Sequence, residues 1–444
     1  MLRIGATRSL VELYATSILR SLLSARCNYS SHGENVVLSF GDGTQGALGL
    51  PDSVVGHAAC GYEPTLIPAL PSDIAGISAG HYHSLAFSCS GELWSWGRDQ
   101  EAQLGRGTMS TRDTWNEPKR VQGLDDVKVV AAFASGVVSA AIGSDGSLWT
   151  WGRSKRGQLG LDSGVTDALL PSKVDALAGE KVRKAAFGWG HVLALTEDGK
   201  LFGWGYSADG RIGKLGGTVV SPLDSVSFTS CSDMNIAERV VVDDIEKEEN
   251  LPIVWQPCLI EELKGKTVID VACGLDHSLV LCGDGTLYSS GSNVYGQLGR
   301  KVDGLGFFPV DIQANCILAI ASGLGHSLAI AQRSSSEVKW DPVSLFTWGW
   351  NQRSQLGRRG LEHAALEVEC LNGENIVIAA GGRVHSIAVT SKGEAWVWGC
   401  GKSGRLGLGS SADEPEPILI ECLEGCQVLQ AATGFDHTLL LVAK

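Results

Sequence analysis

Apolar residues along this chain come in short runs, broken at near-regular intervals by glycine-rich turns. Six stretches superimpose: "GHYHSLAFSCSGELWSWG" (80–97), "SGVVSAAIGSDGSLWTWG" (135–152), "GWGHVLALTEDGKLFGWG" (188–205), "GLDHSLVLCGDGTLYSSG" (274–291), "GLGHSLAIAQ…SLFTWG" (323–349) and "GRVHSIAVTSKGEAWVWG" (382–399). In five of them the fourth residue lies 14 positions before the closing glycine; from His326 to Gly349 the distance is 23, so nine residues are added around "RSSSEVKWDP". A second signal ends eight residues after each closing glycine: "RDQEAQLG", "RSKRGQLG", "YSADGRIG", "SNVYGQLG", "WNQRSQLG" and "CGKSGRLG". Runs such as "HSLAF" and "ELWSW" have the length and the β-branched or aromatic content of strands. The "SDG", "EDG" and "GDG" between them are hairpin turns, because Asp-Gly readily supplies positive φ. A further apolar segment precedes each repeat ("IAGISAG", "VIDVACG") and another follows it ("EPKRVQGL", "LPSKVDAL"). This predicts about four strands in a unit of roughly 50 residues, the size of a propeller blade.

The two ends of the chain supply one more unit. "GFDHTLLLVAK" (434–444) is the first half of a repeat and stops before the Trp-Gly strand, whereas "VVLSFGDGTQGALG" (36–49) is a second half with Phe40-Gly41 in place of Trp-Gly. Pairing the last strand with the first closes a split seventh blade and removes the exposed sheet edges that an open array would keep. The expected fold is therefore all-β: a seven-bladed β-propeller of four-stranded blades, closed by its N-terminal and C-terminal strands.

The pattern Gly-x-x-His-Ser, Asp-Gly, aromatic-x-Trp-Gly, then Gln-Leu-Gly resembles the regulator of chromosome condensation repeat family, over nearly the whole chain after residue 35. The resemblance implies a seven-bladed propeller. It also brings the functions of that family into view: a guanine-nucleotide exchange factor for a nuclear small GTPase, a plant ultraviolet-B receptor, ubiquitin-ligase subunits, and organellar members linked to mitochondrial RNA processing and respiratory-chain assembly. Departures from the pattern are Ser135 and Val138 in the second repeat, Ser290 for Trp in the fourth, and a loop insertion at 214–254 that carries the acidic run "DDIEKEE".

Composition adds compartment and charge. Residues 1–32 hold Arg3, Arg8, Arg20 and Arg26 against the single acid Glu12 and are rich in Ser, Leu and Ala, the composition of an organelle transit peptide; an ordinary amphipathic helix is the alternative. The spacing of the arginines favours the mitochondrial matrix over the chloroplast, with cleavage between Arg26 and Ser31, leaving the propeller as residues 33–444. Losing four positive charges and one negative charge moves the formal balance from −13 to −16. The 12 cysteines contain no Cys-x-x-Cys pair, which fits a reduced compartment. No apolar run is long enough to span a bilayer.

A residue that recurs in blade after blade is architectural, since one chemical site needs it once. On that ground His83, His191, His277, His326, His385 and His437 are structural, hydrogen-bonding blade turns. His32, His57, His81 and His363 are too scattered for a metal site, and no nucleophile with an oriented base is singled out, so neither enzyme activity nor a cofactor is expected. The pairs Trp94/Trp96, Trp149/Trp151 and Trp396/Trp398 project from one strand face and are expected to pack between blades. The photoreceptor relatives use Gly-Trp-Arg-His-Thr turns; Gly188-Trp189-Gly190-His191 comes nearest here and lacks the arginine.

Loops are the better candidates, because propellers bind through the turns their strands display. The ten residues after each closing glycine, with the Gly41 copy included, hold 14 positive and five negative side chains, so this face is basic on an acidic body. Its candidate binding residues are Arg153, Lys155, Arg156, Arg300, Lys301, Arg353, Arg358, Arg359, Lys402 and Arg405. Such a face suits a phosphate backbone or an acidic protein; the alternative is that these arginines bond loop carbonyls or pair with acids. The expectation, resting on the transit peptide and the resemblance to a plant-type mitochondrial member, is a non-enzymatic, monomeric mitochondrial scaffold. It would support organellar RNA processing (intron splicing of respiratory-chain transcripts, and through it complex I biogenesis) with RNA or RNA-processing proteins as partners. The alternatives are a guanine-nucleotide exchange factor for an organellar small GTPase and a protein adaptor that uses the acidic insertion.

Overall fold

Each repeat folds, as its spacing predicts, into one antiparallel four-stranded sheet, and seven such sheets form the molecule. The structure is a computed structural model that describes residues 34–51, 60–215, 252–302, 304–332 and 343–443. The transit-peptide reading, most of the 214–254 insertion with its acidic run, and the nine-residue extension lie outside the described residues. From the channel outward, the first blade comprises Ile74–Ala79, His83–Ser88, Leu93–Gly97 and Lys119–Arg120, and the second Val129–Ala134, Val138–Gly143, Leu148–Arg153 and Asp167–Lys173. The third is Val182–Phe187, His191–Thr196, Leu201–Tyr206 and Ile253–Leu259; the fourth is Val268–Cys273, His277–Cys282, Leu287–Gly291 and Phe308–Pro309. The fifth is Cys316–Ser322, His326–Gln332, Val343–Gly349 and Leu366–Glu367; the sixth is Ile376–Gly381, His385–Thr390, Ala395–Gly399 and Glu414–Leu419. The split blade is built from Gln427–Thr433, His437–Ala443, Asn35–Gly41 and Gly61–Leu66. Its closure is complete: every residue of Asn35–Gly41 pairs antiparallel with Ala443–His437. The insertion leaves the front of the third blade after Leu215 and returns at Pro252, so Ile253 and Val254 already belong to the outer strand.

No single core exists. The buried apolar side chains fall into seven clusters, each shared by two neighbouring blades; Val37, Ile67 and Leu439 of the split blade, for example, pack with Ile74, Ile77 and Trp96 of the first. The second strand of a blade is buried on both faces (all six residues of His83–Ser88), which is why it reads as a continuous apolar run rather than an alternation. Trp96, Trp151 and Trp398 are fully buried in these seams, with Trp94, Trp149 and Trp396 packed alongside.

A directional bond set holds each seam. The residue six past the closing glycine presents its backbone carbonyl to the next blade: in four seams a hydroxyl and an indole N–H both meet it, at Arg211 and Arg405 a hydroxyl alone, and at Gln158 an indole alone. Gln103 O accepts from Ser139 Oγ (2.7 Å) and Trp151 Nε1 (2.9 Å), and Gln355 O from Ser386 Oγ (2.8 Å) and Trp398 Nε1 (2.9 Å). The same serine is reached from behind by the repeat histidine: His83 Nε2 lies 2.8 Å from Ser139 Oγ and His326 Nε2 2.9 Å from Ser386 Oγ. His191, His277, His385 and His437 meet Ser278, Ser327, Thr438 and Ser84 in the same way. The hydroxyl proton is committed to the carbonyl, so the imidazole donates from Nε2. Its other edge lies on the first glycine of Gly-x-x-His, where a Cβ at Gly188, Gly274 or Gly323 would come within 2.0 to 2.2 Å of the ring.

The second repeat departs from the pattern for a linked reason. Val138 stands in the histidine position, its partner in the third blade is Val192 instead of serine, and both are fully buried. With no imidazole to accommodate, the turn glycine becomes Ser135, whose hydroxyl bonds Gly188 O at 3.3 Å. In the fourth blade, Ser290, in place of tryptophan, donates to Gly210 O instead.

Two outcomes follow for stability. Val138→His alone is expected to destabilise by more than about 2 kcal/mol, since it buries an unpartnered imidazole against the Ser135 Cβ, whereas S135G/V138H/V192S recovers most of the loss. Denaturant titration checks this, and simple additivity of the three changes would refute the linkage. Removing residues 434–444 strips Leu439, Leu440, Leu441 and Val442 from two seams. At about 1.5–3 kcal/mol per side chain this approaches the whole stability of a domain, so the truncated chain should be insoluble; a soluble product with cooperative melting would contradict closure.

Candidate functional site

Alternating strand direction places the Gly-x-x-His turns and the loops after each closing glycine on one side, the front face. There, the residue after the first glycine of six turns lines the mouth of the channel: His81, Trp189, Leu275, Leu324, Arg383 and Phe435, with Ser135 from the remaining turn. Their backbones lock together across the blades. His81 N–H donates to Ser135 O (2.9 Å), Trp189 to Leu275 O (3.0 Å), Leu275 to Leu324 O (2.8 Å), Leu324 to Gly382 O (3.0 Å), Arg383 to Phe435 O (3.2 Å) and Phe435 to Gly80 O (3.2 Å). The space between them has a cavity volume of about 100 Å³.

Across this mouth runs a chain of stacked rings and guanidinium groups. His81 lies flat on Trp189 (centroids 5.1 Å apart, planes at 22°) and meets Phe435 at 4.9 Å, which in turn meets Tyr82 at 5.5 Å. Arg156 sits 5.4 Å from the centroid of Trp189 and 5.9 Å from that of Tyr206, and Arg211 lies 4.7 Å from the Tyr206 centroid. Arg383 covers Phe435 at 4.5 Å, and Arg98 lies 5.4 Å from Tyr82. Carboxylates fix several of these arginines: Asp436 takes both Arg383 (2.9 and 2.6 Å) and Arg405, while Asp276 takes Arg211. Burial pushes the His81 imidazole down to about 4, so its ring is neutral at physiological pH. Trp189 remains 40 % exposed. The arginine missing from the Gly188–His191 turn is thus supplied by the preceding blade, and Gly190 leaves it room: a Cβ there would lie 3.0 Å from Arg156 Cδ.

The ten basic candidates divide by environment. Arg300, Arg358 and Arg405 are interior. Arg300, 7 % exposed, donates to Val302 O and Gly304 O and packs over Phe308. Arg358 donates to Thr347 O (2.6 Å) and Ala364 O (2.8 Å), and burial lowers it to about 10. Arg405, 1 % exposed, bonds Lys402 O and Asp436. Arg153 pairs with Asp167, and exposed Arg353 reaches Asp413 at 3.7 Å. Arg156 belongs to the stacked chain. Lys155, Lys301, Arg359 and Lys402 are exposed and make no ion pair with a described residue. The structure does not gather all ten into one patch. Lys301 and Arg359 line an outer groove of about 1280 Å³ beside Glu367, Glu369 and Glu416, where charge is mixed, and Lys155 and Lys402 lie outside that groove.

The repeat histidines are all inside the seams, bonded to the next blade's hydroxyl rather than to a turn of their own. Among the described residues no group of three or more His, Cys, Asp or Glu side chains could hold a metal ion, and no helix is long and apolar enough to cross a membrane. Sequence reasoning missed the ring-and-guanidinium chain, although one signal was present: the first variable position of the Gly-x-x-His turn is His81, Trp189 or Phe435 in three of the seven copies.

Seven four-stranded blades with an interlocked front face define a closed seven-bladed β-propeller. The chain belongs to the RCC1-like domain family, whose model matches residues 36–440. It is 30% identical to the ultraviolet-B receptor UVR8 of Arabidopsis thaliana over 88% of this chain and 78% of that protein. It is 31% identical to the mouse secretion-regulating guanine nucleotide exchange factor over 68% of this chain and 62% of that protein. Among solved structures, Prp20p of Saccharomyces cerevisiae shares the fold with a TM-score of 0.73 at 22% identity, covering 94% of each chain. Relatives in this family are regulators or exchange factors rather than catalysts in the usual sense, though ubiquitin ligases are also among them.

The seam histidines predict a pH response. Burial holds His83, His277 and His326 at about 3 and His437 at about 4, and His191 and His385 well below 6.5. The unfolded chain takes up these protons from about pH 6.5 downward and the folded chain does not, so stability is level above that pH and falls between 6.5 and about 4. Each imidazole contributes about 1.4 kcal/mol per pH unit to the fall. Urea titrations across this range measure the slope; His326→Gln should make it shallower by one histidine's share, and an unchanged slope would rule the assignment out.

Proposed function

We propose that the protein is a non-enzymatic scaffold of the mitochondrial matrix, related to plant-type mitochondrial members of the family. It supports organellar RNA processing, including intron splicing of respiratory-chain transcripts and hence complex I biogenesis. The observation that carries the contact surface is the front face, whose loops after the closing glycines display the exposed cations Lys155, Lys301, Arg359 and Lys402. The arginine-rich, acid-poor segment 1–32 supports import as a transit peptide, after which the propeller acts as a monomer without a cofactor. Lysine and arginine on such a face supply affinity for phosphates without reading sequence. A second reading, nucleotide exchange on an organellar small GTPase, draws support from the likeness to the secretion-regulating exchange factor. Exchange needs only a surface that displaces nucleotide and metal, so it requires no acid–base constellation.

The test is ultraviolet cross-linking and RNA recovery from purified mitochondria with the wild-type chain and with Arg153, Lys155 and Arg156 changed to Glu. Wild type should recover organellar transcripts and the triple variant several-fold less. Equal recovery removes the RNA reading, and accelerated nucleotide release from an organellar GTPase moves the assignment to exchange.

A further inference from the structure

The loops after the closing glycines share one backbone form, and one of them carries side chains that the form does not require. In the fourth blade Tyr295 N–H donates to Gln297 Oε1 (2.8 Å) and Leu298 N–H to Asn293 Oδ1 (3.0 Å). The first and fifth blades repeat both bonds, at Glu101 and Leu104 and at Arg353 and Leu356. At the loop tip, third and fourth after the closing glycine, six copies hold polar, charged or small residues, such as Gln100-Glu101 and Gln352-Arg353, whereas the fourth blade holds Val294-Tyr295. Val294 is 77 % exposed and Tyr295 45 %. We infer that this tip anchors a docking track for a protein segment that presents a large apolar side chain followed by carboxylates, the carboxylates meeting the basic tips of the fifth and sixth blades. This contact does not rest on the RNA reading above.

The anchor is preformed. The Tyr295 ring lies 5.4 Å from that of Trp350, the first residue of the next blade's loop, with the planes at 31°. Both side chains rest on the fifth blade's Gly-x-x-His turn, where a Cβ at Gly325 would meet Trp350 Cβ at 3.2 Å and Tyr295 Cδ2 at 3.5 Å. Tyrosine and tryptophan are the residues that carry protein interfaces. An exposed aliphatic tip beside them, in a loop whose sisters fold without it, marks a protein contact. Charge follows in the next two blades, where Arg353 and Lys402 occupy the loop tips. Arg353 reaches Asp413 at 3.7 Å while 61 % of its side chain stays exposed, and Lys402 is exposed and makes no ion pair with a described residue. Lys301 and Arg359 take no part, because they line the outer groove with its carboxylates. Packed sheets lie about 10 Å apart, so the three tips follow one another round the rim as apolar, basic and basic. A nucleic acid would reach the two cations through its phosphates and leave Val294 in water, and a purely apolar partner would leave the cations unused. An extended chain advances about 3.3 Å per residue, which sets the partner's carboxylates about three and six residues from its apolar anchor.

The experiment selects from a random dodecapeptide display library on the full chain and measures the enriched peptides by fluorescence anisotropy. Enriched sequences should carry Leu, Ile, Phe or Trp with Asp or Glu about three and six positions away. Val294→Gln and Tyr295→Gln install the residue that Gln100, Gln352 and Gln45 already supply at these positions in sister loops, so the loop form is kept. Each should weaken the selected peptide about 10-fold or more. Arg353→Gln and Lys402→Gln should weaken it less and flatten its dependence on salt. No enrichment overturns the track, as do enriched peptides that lack the apolar and acidic pattern or that bind both tip variants as tightly as wild type. Oligo-uridine that displaces the peptide and itself binds less tightly to Val294→Gln overturns it in favour of RNA. A dimer of this chain that Tyr295→Gln dissociates overturns it in favour of a second copy. Peptide binding that tightens several-fold when Asp243, Asp244, Glu246, Glu248 and Glu249 are changed to Asn or Gln overturns it in favour of the chain's own insertion.

Discussion

One backbone carbonyl per blade, six residues past the closing glycine, organises the molecule. Apolar packing between blades is strong but non-directional, and wedge-shaped seams filled with Leu, Val and Ile would tolerate a range of blade angles. The carbonyl removes that freedom because a hydroxyl and an indole N–H of the next blade both aim at it, as Ser139 and Trp151 do at Gln103. Pulling the blades apart leaves three buried polar groups unpaired, at about 1–3 kcal/mol each. The repeat histidine then orients the hydroxyl, and the turn glycine makes space for the histidine. Four features of the repeat motif therefore serve one bond set, and they change together where the bond set changes.

That dependence explains what could be read from the chain and what could not. Blade number, strand order and closure were legible because the register from histidine to closing glycine to Gln-Leu-Gly is set within one repeat and survives side-chain variation. The partner of each histidine was not, since it sits on the adjacent blade, 50 to 87 residues away in sequence and, for His437 across the closure, 353. Val138 was legible as a departure but its link to Val192 was not, for the same reason; only the seam shows that they are a pair. Arg156 over Trp189 is a third case, a guanidinium delivered from the previous blade to a turn that lacks its own.

Charge counting separated the faces but not the roles. Fourteen cations against five acids made the loops after the closing glycines basic in aggregate. Formal charge, however, does not distinguish a side chain that reaches solvent from one that ties its loop together. Arg300, Arg358 and Arg405 occupy loop interiors, bonding carbonyls that the tight glycine turns leave without backbone partners. Their bonds tie together the loops in which Lys301, Arg359 and Lys402 are displayed.

The same rigidity shapes how a ligand meets the face. The rest of the chain is strongly acidic, and clustered cations on one face focus the local field there even when the net charge is of opposite sign. At contact, the energetics change character. The arginines of the centre are neutralised by Asp276 and Asp436, and what remains exposed is ring surface held in place by seven blades at once. Long-range charge and short-range apolar contact thus reside in different residues, and a ligand that carries only one of the two would use half of the face.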